Sequence, residues 1–332
     1  MKKILLTNFY EEEAIRIAES VCPVGFELIF LENATREELL EKVPLADYFL
    51  AGGRSKIDAE LLSKPNKLKM IQRSGVGLDS LDLAALKEHD IPLYVNAGVN
   101  ARSVAEHTLM LMLAVLRKVC VADGALREGK WQKHFLGLQT AELHGKSVGL
   151  VGIGKIGKHV ARLLSAFGAK GYYFDPMRLP IEEEQALGLV YLPFNELLVT
   201  VDILSLHCPL LPQTKGMMGA TQFALMRNGS FIVNTSRGGL VDEVSLMDSL
   251  NCGHLTGAGL DVFQREPIDP NLCLLSSDKV VLTPHIGGVT VDSFRAMVSL
   301  GFENIEAFDQ GHLSDIAEKK YVYETRGINE TP

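Results

Sequence analysis

The stretch Val148-Gly-Leu-Val-Gly-Ile-Gly-Lys-Ile-Gly157 constrains the fold more than any other part of the 332-residue chain. An apolar run, 148–151, enters a G-x-G-x-x-G made by Gly152, Gly154 and Gly157, and an amphipathic stretch, 158–167, leaves it. The next apolar run, 172–174, ends on Asp175. Strand, glycine turn, helix and a second strand followed by an acid make a βαβ unit that takes a dinucleotide. The glycines have separate tasks: a tight turn, close approach of backbone to a pyrophosphate, and close packing of helix on strand. The helix start, with Lys155 and Ile156, offers N–H groups and partial positive charge to phosphates. Asp175 is spaced to accept hydrogen bonds from the adenosine ribose, which favours NAD over NADP, although Arg178 lies close enough in sequence to meet a 2′-phosphate.

The rest of the chain repeats the same rhythm. Apolar runs at 3–7, 26–30, 48–51, 70–73 and 93–96 alternate with helical patterns such as 11–21 and 81–89. A second series follows at 148–151, 172–174, 203–206, 231–233, 257–261 and 280–282. Runs rich in Val, Ile and Leu without strict alternation fit parallel strands buried on both faces. The expected fold is α/β with two doubly wound parallel-sheet domains: a Rossmann-type NAD-binding domain, 100–289, inserted into a flavodoxin-like substrate domain, 1–99 and 290–332. The junctions are a long helix beginning near Ser103, whose Ser103-Val-Ala-Glu106 reads as a capping box, and a second helix, 291–308, after Thr290. The tail 318–332 is polar and expected to be poorly ordered.

A formal net charge of −8, with no block of Lys and Arg, argues against a nucleic-acid surface. The five cysteines are scattered and never in C-x-x-C spacing, which fits free thiols in the cytoplasm and no structural metal. The longest apolar run, 109–116, is far short of the ~20 residues of a membrane helix.

Three segments follow predicted strands where open α/β sheets place their ligands: Asn234-Thr-Ser-Arg237, Asp261-Val-Phe-Gln-Arg-Glu266 and Thr283-Pro-His285. With Ser74-Gly-Val-Gly-Leu-Asp79, Ser103-Val-Ala-Glu106, the glycine motif and His207-Cys-Pro209, they come in an order that resembles the D-isomer-specific 2-hydroxyacid dehydrogenases over about residues 50 to 305. The resemblance implies a catalytic set of Arg237, Glu266 and His285. It implies NAD contacts from Gly152, Gly154, Lys155, Ile156, Gly157, Asp175, His207, Cys208, Pro209, Thr214, Thr235, Ser236, Arg237, Asp261, His285 and Gly287. It places the substrate, a small 2-hydroxy or 2-oxo acid of hydroxypyruvate, glyoxylate or phosphoglycerate type, against Arg54, Ser55, Val76, Gly77, Arg237 and His285, in a cleft between the domains. Lys56 beside Arg54 is a candidate for a second anionic group.

The chemistry suits those residue types. Arg237 holds a carboxylate and an adjacent carbonyl by a two-pronged, charge-assisted contact. His285 gives a proton to the alkoxide formed on reduction and takes it back on oxidation. A carboxylate at Glu266 favours imidazolium and fixes the tautomer. The other histidines, His107 among them, sit in helical or turn contexts that need no function. Cys208 is expected to contribute through its backbone and not as a nucleophile. Related dehydrogenase-like corepressors, which sense NAD(H) without turnover, are the alternative reading. The resemblance further implies a homodimer, to which the all-round apolar run 109–116 points, with Trp131 and His134 near a partner's site.

Overall fold

In a computed structural model the chain divides into two compact units, Met1–Asn100 with Val289–Pro332, and Ala101–Gly288. The structure describes residues 1–321 other than 34, 54, 65, 76, 79 and 317–319.

The first unit holds strands β1 (Lys2–Phe9), β2 (Phe26–Leu31), β3 (Tyr48–Ala51), β4 (Met70–Arg73) and β5 (Leu93–Val95), with β13 (Lys320–Tyr321) far along the chain. Their order is β13-β5-β4-β3-β1-β2. The five N-terminal strands are parallel, in the flavodoxin-like arrangement. β13 runs antiparallel on β5, pairing Lys320 with Tyr94 and Tyr321 with Leu93. The sequence reading had 318–332 as a polar, poorly ordered tail; residues 320 and 321 within it add a short antiparallel pairing to the edge of a parallel sheet. Alternation of side chains along each strand splits the core in two. Leu5, Phe49, Ala51, Ile71 and Leu93 join one cluster with Leu39, Leu61 and Leu86. Ile4, Leu6, Tyr48, Leu50, Met70 and Tyr94 join the other, with Phe294, Val298, Phe302 and Ile305 of the returning helix Val291–Asp309.

That helix starts at a capping box: the Thr290 hydroxyl accepts from Ser293 N–H at 3.0 Å. A buried amide ladder then fastens it to the sheet. Asn304 Nδ2 donates to Gln72 Oε1 (3.1 Å), Gln72 Nε2 to Asn96 Oδ1 (2.8 Å), and Asn96 Nδ2 to Met297 O (2.9 Å). All three amides are essentially inaccessible, so each hydrogen bond replaces one lost to water.

The second unit holds β6 (Ser147–Val151), β7 (Lys170–Phe174), β8 (Leu189–Tyr191), β9 (Ile203–Leu206), β10 (Ser230–Asn234), β11 (Leu255–Leu260) and β12 (Val280–Leu282). The order β12-β11-β10-β9-β6-β7-β8 is all parallel and reverses direction at β6, as in a Rossmann sheet. β8 had escaped the sequence reading; it is three residues long with Val190 about half exposed.

The helix Ala101–Leu116 begins two residues ahead of Ser103. Ser103 is therefore inside the helix and not its cap, and its hydroxyl donates to Gly287 O at 3.0 Å. Leu109, Leu111, Met112 and Leu116 are buried with Val160, Ala161 and Leu164 of the helix Lys155–Ala166. On its other side β11 carries Gly257 and Gly259, where a Cβ would stand 2.7 Å from Val115 and 3.1 Å from Leu111. The all-round apolar character thus has an explanation inside one chain. Exposed apolar residues of this unit gather in the next two helices, Val119–Arg127 and Lys133–Gly137, and just around them: Val119, Leu126, Trp131, Phe135 and Leu138 are at least half exposed.

Candidate active site

In the second unit every candidate stands beyond a strand's C-terminal end. After β6 the backbone of Gly152 takes φ +95°, and a Cβ there would lie 2.7 Å from Cys208 N and from His207 C. A Cβ on Gly157 would lie 2.5 Å from Gly152 O, so helix and turn are in direct contact there. Gly154 differs: it caps Lys155–Ala166 with no side-chain acceptor, and nothing lies within 4 Å of where its Cβ would be. An exposed helix start of this kind, open above Gly154 and lined by Lys155 and Ile156, fits a pyrophosphate. Asp175 sits beside it, accepting Ile153 N–H and Met177 N–H at 2.9 Å each. Arg178 points its charge elsewhere: it pairs with Glu184 (2.8 Å) and stacks over Tyr191, 5.2 Å from the ring centre.

After β9, burial pushes the His207 imidazole down to about 4, so the ring is neutral at physiological pH; its Nε2 is 2.9 Å from Ser205 Oγ. Burial raises the Cys208 thiol to about 11, which removes it as a nucleophile. Thr214 ties the loop by donating to Pro209 O at 2.7 Å. After β10, Ser236 Oγ donates to Cys208 O (2.5 Å), and the Thr235 hydroxyl meets Thr108 Oγ1 at 2.7 Å. Arg237 is partly buried, with Nη1 on Ser236 O at 2.8 Å.

Beyond β11 and β12 two candidates meet. Nδ1 of His285 lies 2.6 Å from Glu266 Oε2, while Glu266 Oε1 accepts Phe263 N–H at 3.0 Å. Burial alone would raise the Glu266 carboxyl. The bond from His285, the Phe263 N–H and the positive charges of His285 and Arg237 outweigh it and hold the group below the ordinary carboxylate value. An ionised carboxylate only accepts, so Nδ1 must carry its hydrogen and Nε2 is left as the nitrogen that exchanges a proton. His285 itself has φ +56°, uncommon for a residue with a side chain.

Asp261 is almost wholly buried. Its Oδ1 accepts Thr283 Oγ1–H (2.6 Å) and Ile286 N–H (2.9 Å), and its Oδ2 accepts Gly287 N–H (2.8 Å). His107 Nε2 stands 2.9 Å from Thr283 Oγ1 and 3.3 Å from Asp261 Oδ1. The sequence reading had passed over His107. Its signal was Ser103 and His107 at i and i+4, two polar residues on one face of the helix.

In the first unit Gly77 O accepts from Arg73 Nε (2.8 Å), and the same buried guanidinium donates to Gly52 O and reaches Gly53 O at 3.4 Å. Ser55 spends its hydroxyl on Thr7 O and Asn8 Oδ1. Arg54 and Val76 lie outside the described residues.

Comparison with known proteins decides the family. The model for the D-isomer specific 2-hydroxyacid dehydrogenase NAD binding domain matches residues 109–287. The chain belongs to the D-isomer-specific 2-hydroxyacid dehydrogenases. A D-3-phosphoglycerate dehydrogenase of Methanocaldococcus jannaschii is 39% identical over 318 residues, covering 95% of this chain and 59% of that one. The chain thus spans little more than half the length of that relative. A hydroxypyruvate reductase of Thermotoga maritima is 38% identical over 277 residues, 83% of this chain and 88% of its own. Among solved dehydrogenase structures, a D-lactate dehydrogenase from Aquifex aeolicus complexed with NAD and lactic acid superposes with a TM-score of 0.83 at 26% identity, covering 98% of this chain and 100% of that one. The second unit is accordingly an NAD-binding domain.

Proposed function

We propose that the protein is an NAD-dependent oxidoreductase acting at C2 of a small D-2-hydroxy acid or the corresponding 2-oxo acid. The observation that carries this reading is the 2.6 Å contact of the His285 imidazole with an ionised Glu266. A carboxylate fixed on Nδ1 orients the ring and leaves Nε2 as the nitrogen that gives a proton to a developing alkoxide. Arg237 binds the substrate carboxylate and polarises the carbonyl. NAD, held over Gly152, Gly154, Gly157 and the helix start with Asp175 at the ribose, supplies the hydride acceptor or donor.

Hydroxypyruvate, glyoxylate and phosphohydroxypyruvate are the first substrates to try, because relatives carry the names of such enzymes. The test is NADH oxidation against these acids and pyruvate, with wild type and His285→Ala. Loss of the proton carrier is expected to lower kcat by about 10²–10⁴ with NADH affinity little changed. Turnover of His285→Ala near the wild-type rate would refute the assignment. We further propose a homodimer through the exposed apolar surface around Trp131, Phe135 and Leu138.

A further inference from the structure

The left-handed backbone of His285 needs something to hold it, since a residue with a side chain stays there only when its surroundings over-determine it. One buried carboxylate does most of this. Asp261 accepts the hydroxyl of Thr283, two residues before His285, and the N–H groups of Ile286 and Gly287 just after it. The carboxyl is buried, which would raise it, but these three donors and His107 outweigh burial and hold it below its usual value, so it is ionised.

Hydrogen counting then fixes the state of His107. Thr283 has one hydroxyl hydrogen and gives it to Asp261 at 2.6 Å. Thr283 Oγ1 and Asp261 Oδ1 are therefore both acceptors toward His107 Nε2, at 2.9 and 3.3 Å. Nε2 must carry a hydrogen and donate it into this pair. One helical turn earlier, Ser103 Oγ donates to Gly287 O at 3.0 Å, so the helix Ala101–Leu116 grips the turn at two points. A Cβ on Gly287 would stand 2.9 Å from Asp261 Oδ2 and 3.2 Å from His107 Cδ2, which shows how closely the three residues are assembled.

We propose that His107 is a positioning residue for His285: its Nε2–H locks Thr283 onto Asp261, and Asp261 sets the turn that aims the imidazole. The proposal rests on the dehydrogenase reading for its effect on rate, while the clamp itself is a statement about the protein without substrate.

Three variants and two kinds of readout separate these. His107→Gln keeps an amide donor near the place of Nε2, and His107→Leu keeps bulk without a donor; Thr283→Val removes the middle of the relay. Backbone amide exchange at Ile286 and Gly287 in the substrate-free protein is expected to speed up by about tenfold, the factor that about 1.4 kcal/mol sets, in His107→Leu and Thr283→Val. In His107→Gln it should stay near wild type. Nitrogen NMR of the imidazole should place the hydrogen on Nε2. Under turnover, His107→Leu is expected to lose about tenfold or more in kcat, because misplacing a catalytic group by about 1 Å costs up to 10², with KM for the 2-oxo acid and for NADH changed less than threefold. His107→Gln should recover most of that kcat. A hydrogen on Nδ1, unchanged exchange in His107→Leu, or equal loss in the Gln and Leu variants would overturn the proposal. Absence of turnover in the wild type would instead refute the dehydrogenase reading, leaving the exchange and NMR results to decide the clamp.

Discussion

Gly152 and Gly154 belong to one motif, yet their surroundings predict opposite consequences for the same substitution. At Gly152 an added Cβ lies 2.7 Å from two backbone atoms of residues 207 and 208, so about 0.7 Å must open before ordinary contact at 3.4 Å is reached. Neither neighbour is a side chain that could rotate away. The backbone also sits at φ +95°, where a side chain costs about 1–2 kcal/mol. With overpacking at about 1–3 kcal/mol, Gly152→Ala should lose roughly 2–5 kcal/mol of stability. For a unit of this size that is about 4–20 °C in Tm. On the proposed reading, displacing the turn would also remove N–H contacts to the pyrophosphate. Each is a bond to a charged group worth about 1.5–3 kcal/mol, so NADH should bind roughly 10- to 150-fold more weakly.

Gly154→Ala should behave differently. Its φ is −69° and its Cβ meets nothing, so the fold should lose no more than about 1 kcal/mol, or about 2–4 °C. On the proposed reading the new methyl group would stand where phosphate oxygens approach, and NADH affinity should fall by about tenfold or more. Differential scanning fluorimetry gives the Tm values and quenching of protein fluorescence by NADH gives the affinities. Gly154→Ala with wild-type NADH affinity would show that the phosphates do not lie over that turn. Gly152→Ala with Tm within about 2 °C of wild type would refute the steric argument.

Three further outcomes are expected. NADH should be preferred to NADPH by kcat/KM, because on the proposed reading the Asp175 carboxylate, beside the glycine turn, meets the ribose, and Arg178 is committed to Glu184 and Tyr191; comparable values for the two cofactors would sink this. His207 has a folded value of about 4, below the ordinary ~6.5, so its contribution to stability is complete above pH ~6.5 and is lost as pH falls towards 4. A full shift of that size is worth about 3 kcal/mol, and the difference in Tm between wild type and His207→Gln should shrink between pH 7 and pH 5, a constant difference counting against it. Light scattering behind a sizing column should give twice the 36.4 kDa chain mass for wild type and one chain mass for Trp131→Glu, whereas a monomeric wild type would remove the homodimer.

Periodicity and glycine placement were readable from residue order because they are local. The runs at 48–51, 70–73, 203–206 and 280–282 are strands with those same limits. The first three are buried throughout, so their apolarity alone marks them, while 280–282 is an edge strand in which Val281 and Leu282 are only partly buried. β8 was missed because an edge strand with one exposed face is too short to show a pattern. β13 was missed because two residues acquire strand geometry only by pairing with β5. The capping-box reading at Ser103 failed for a tertiary reason: the hydroxyl serves Gly287, 184 residues away. Glu266 and His285 could be named from motifs, and the structure brings their side chains together. The contacts of His107 could not, since Asp261 and Thr283, just beyond β11 and β12, are adjacent only once the sheet has formed.

The amide ladder Gln72–Asn96–Asn304 bears on the order in which a nascent chain can acquire its structure. As residues 1–100 leave the ribosome, they carry five parallel strands, but the face formed by Ile4, Leu6, Tyr48, Leu50, Met70 and Tyr94 awaits Phe294, Val298, Phe302 and Ile305. In the meantime the short helix Glu12–Ser20 brings some apolar cover to that face, through Ile17 and Ala18. The intervening segment, 101–288, contains its own sheet and both of its core clusters, so it can condense as a unit while the first sheet is still half bare. Closing the first sheet then means bridging more than 200 residues of sequence to join Asn304 to Gln72, a contact of the slow, long-range kind. Residues 1–100 are therefore made ahead of the helix that covers them and are finished after the segment 101–288, and their uncovered strand face is a surface in need of protection during synthesis.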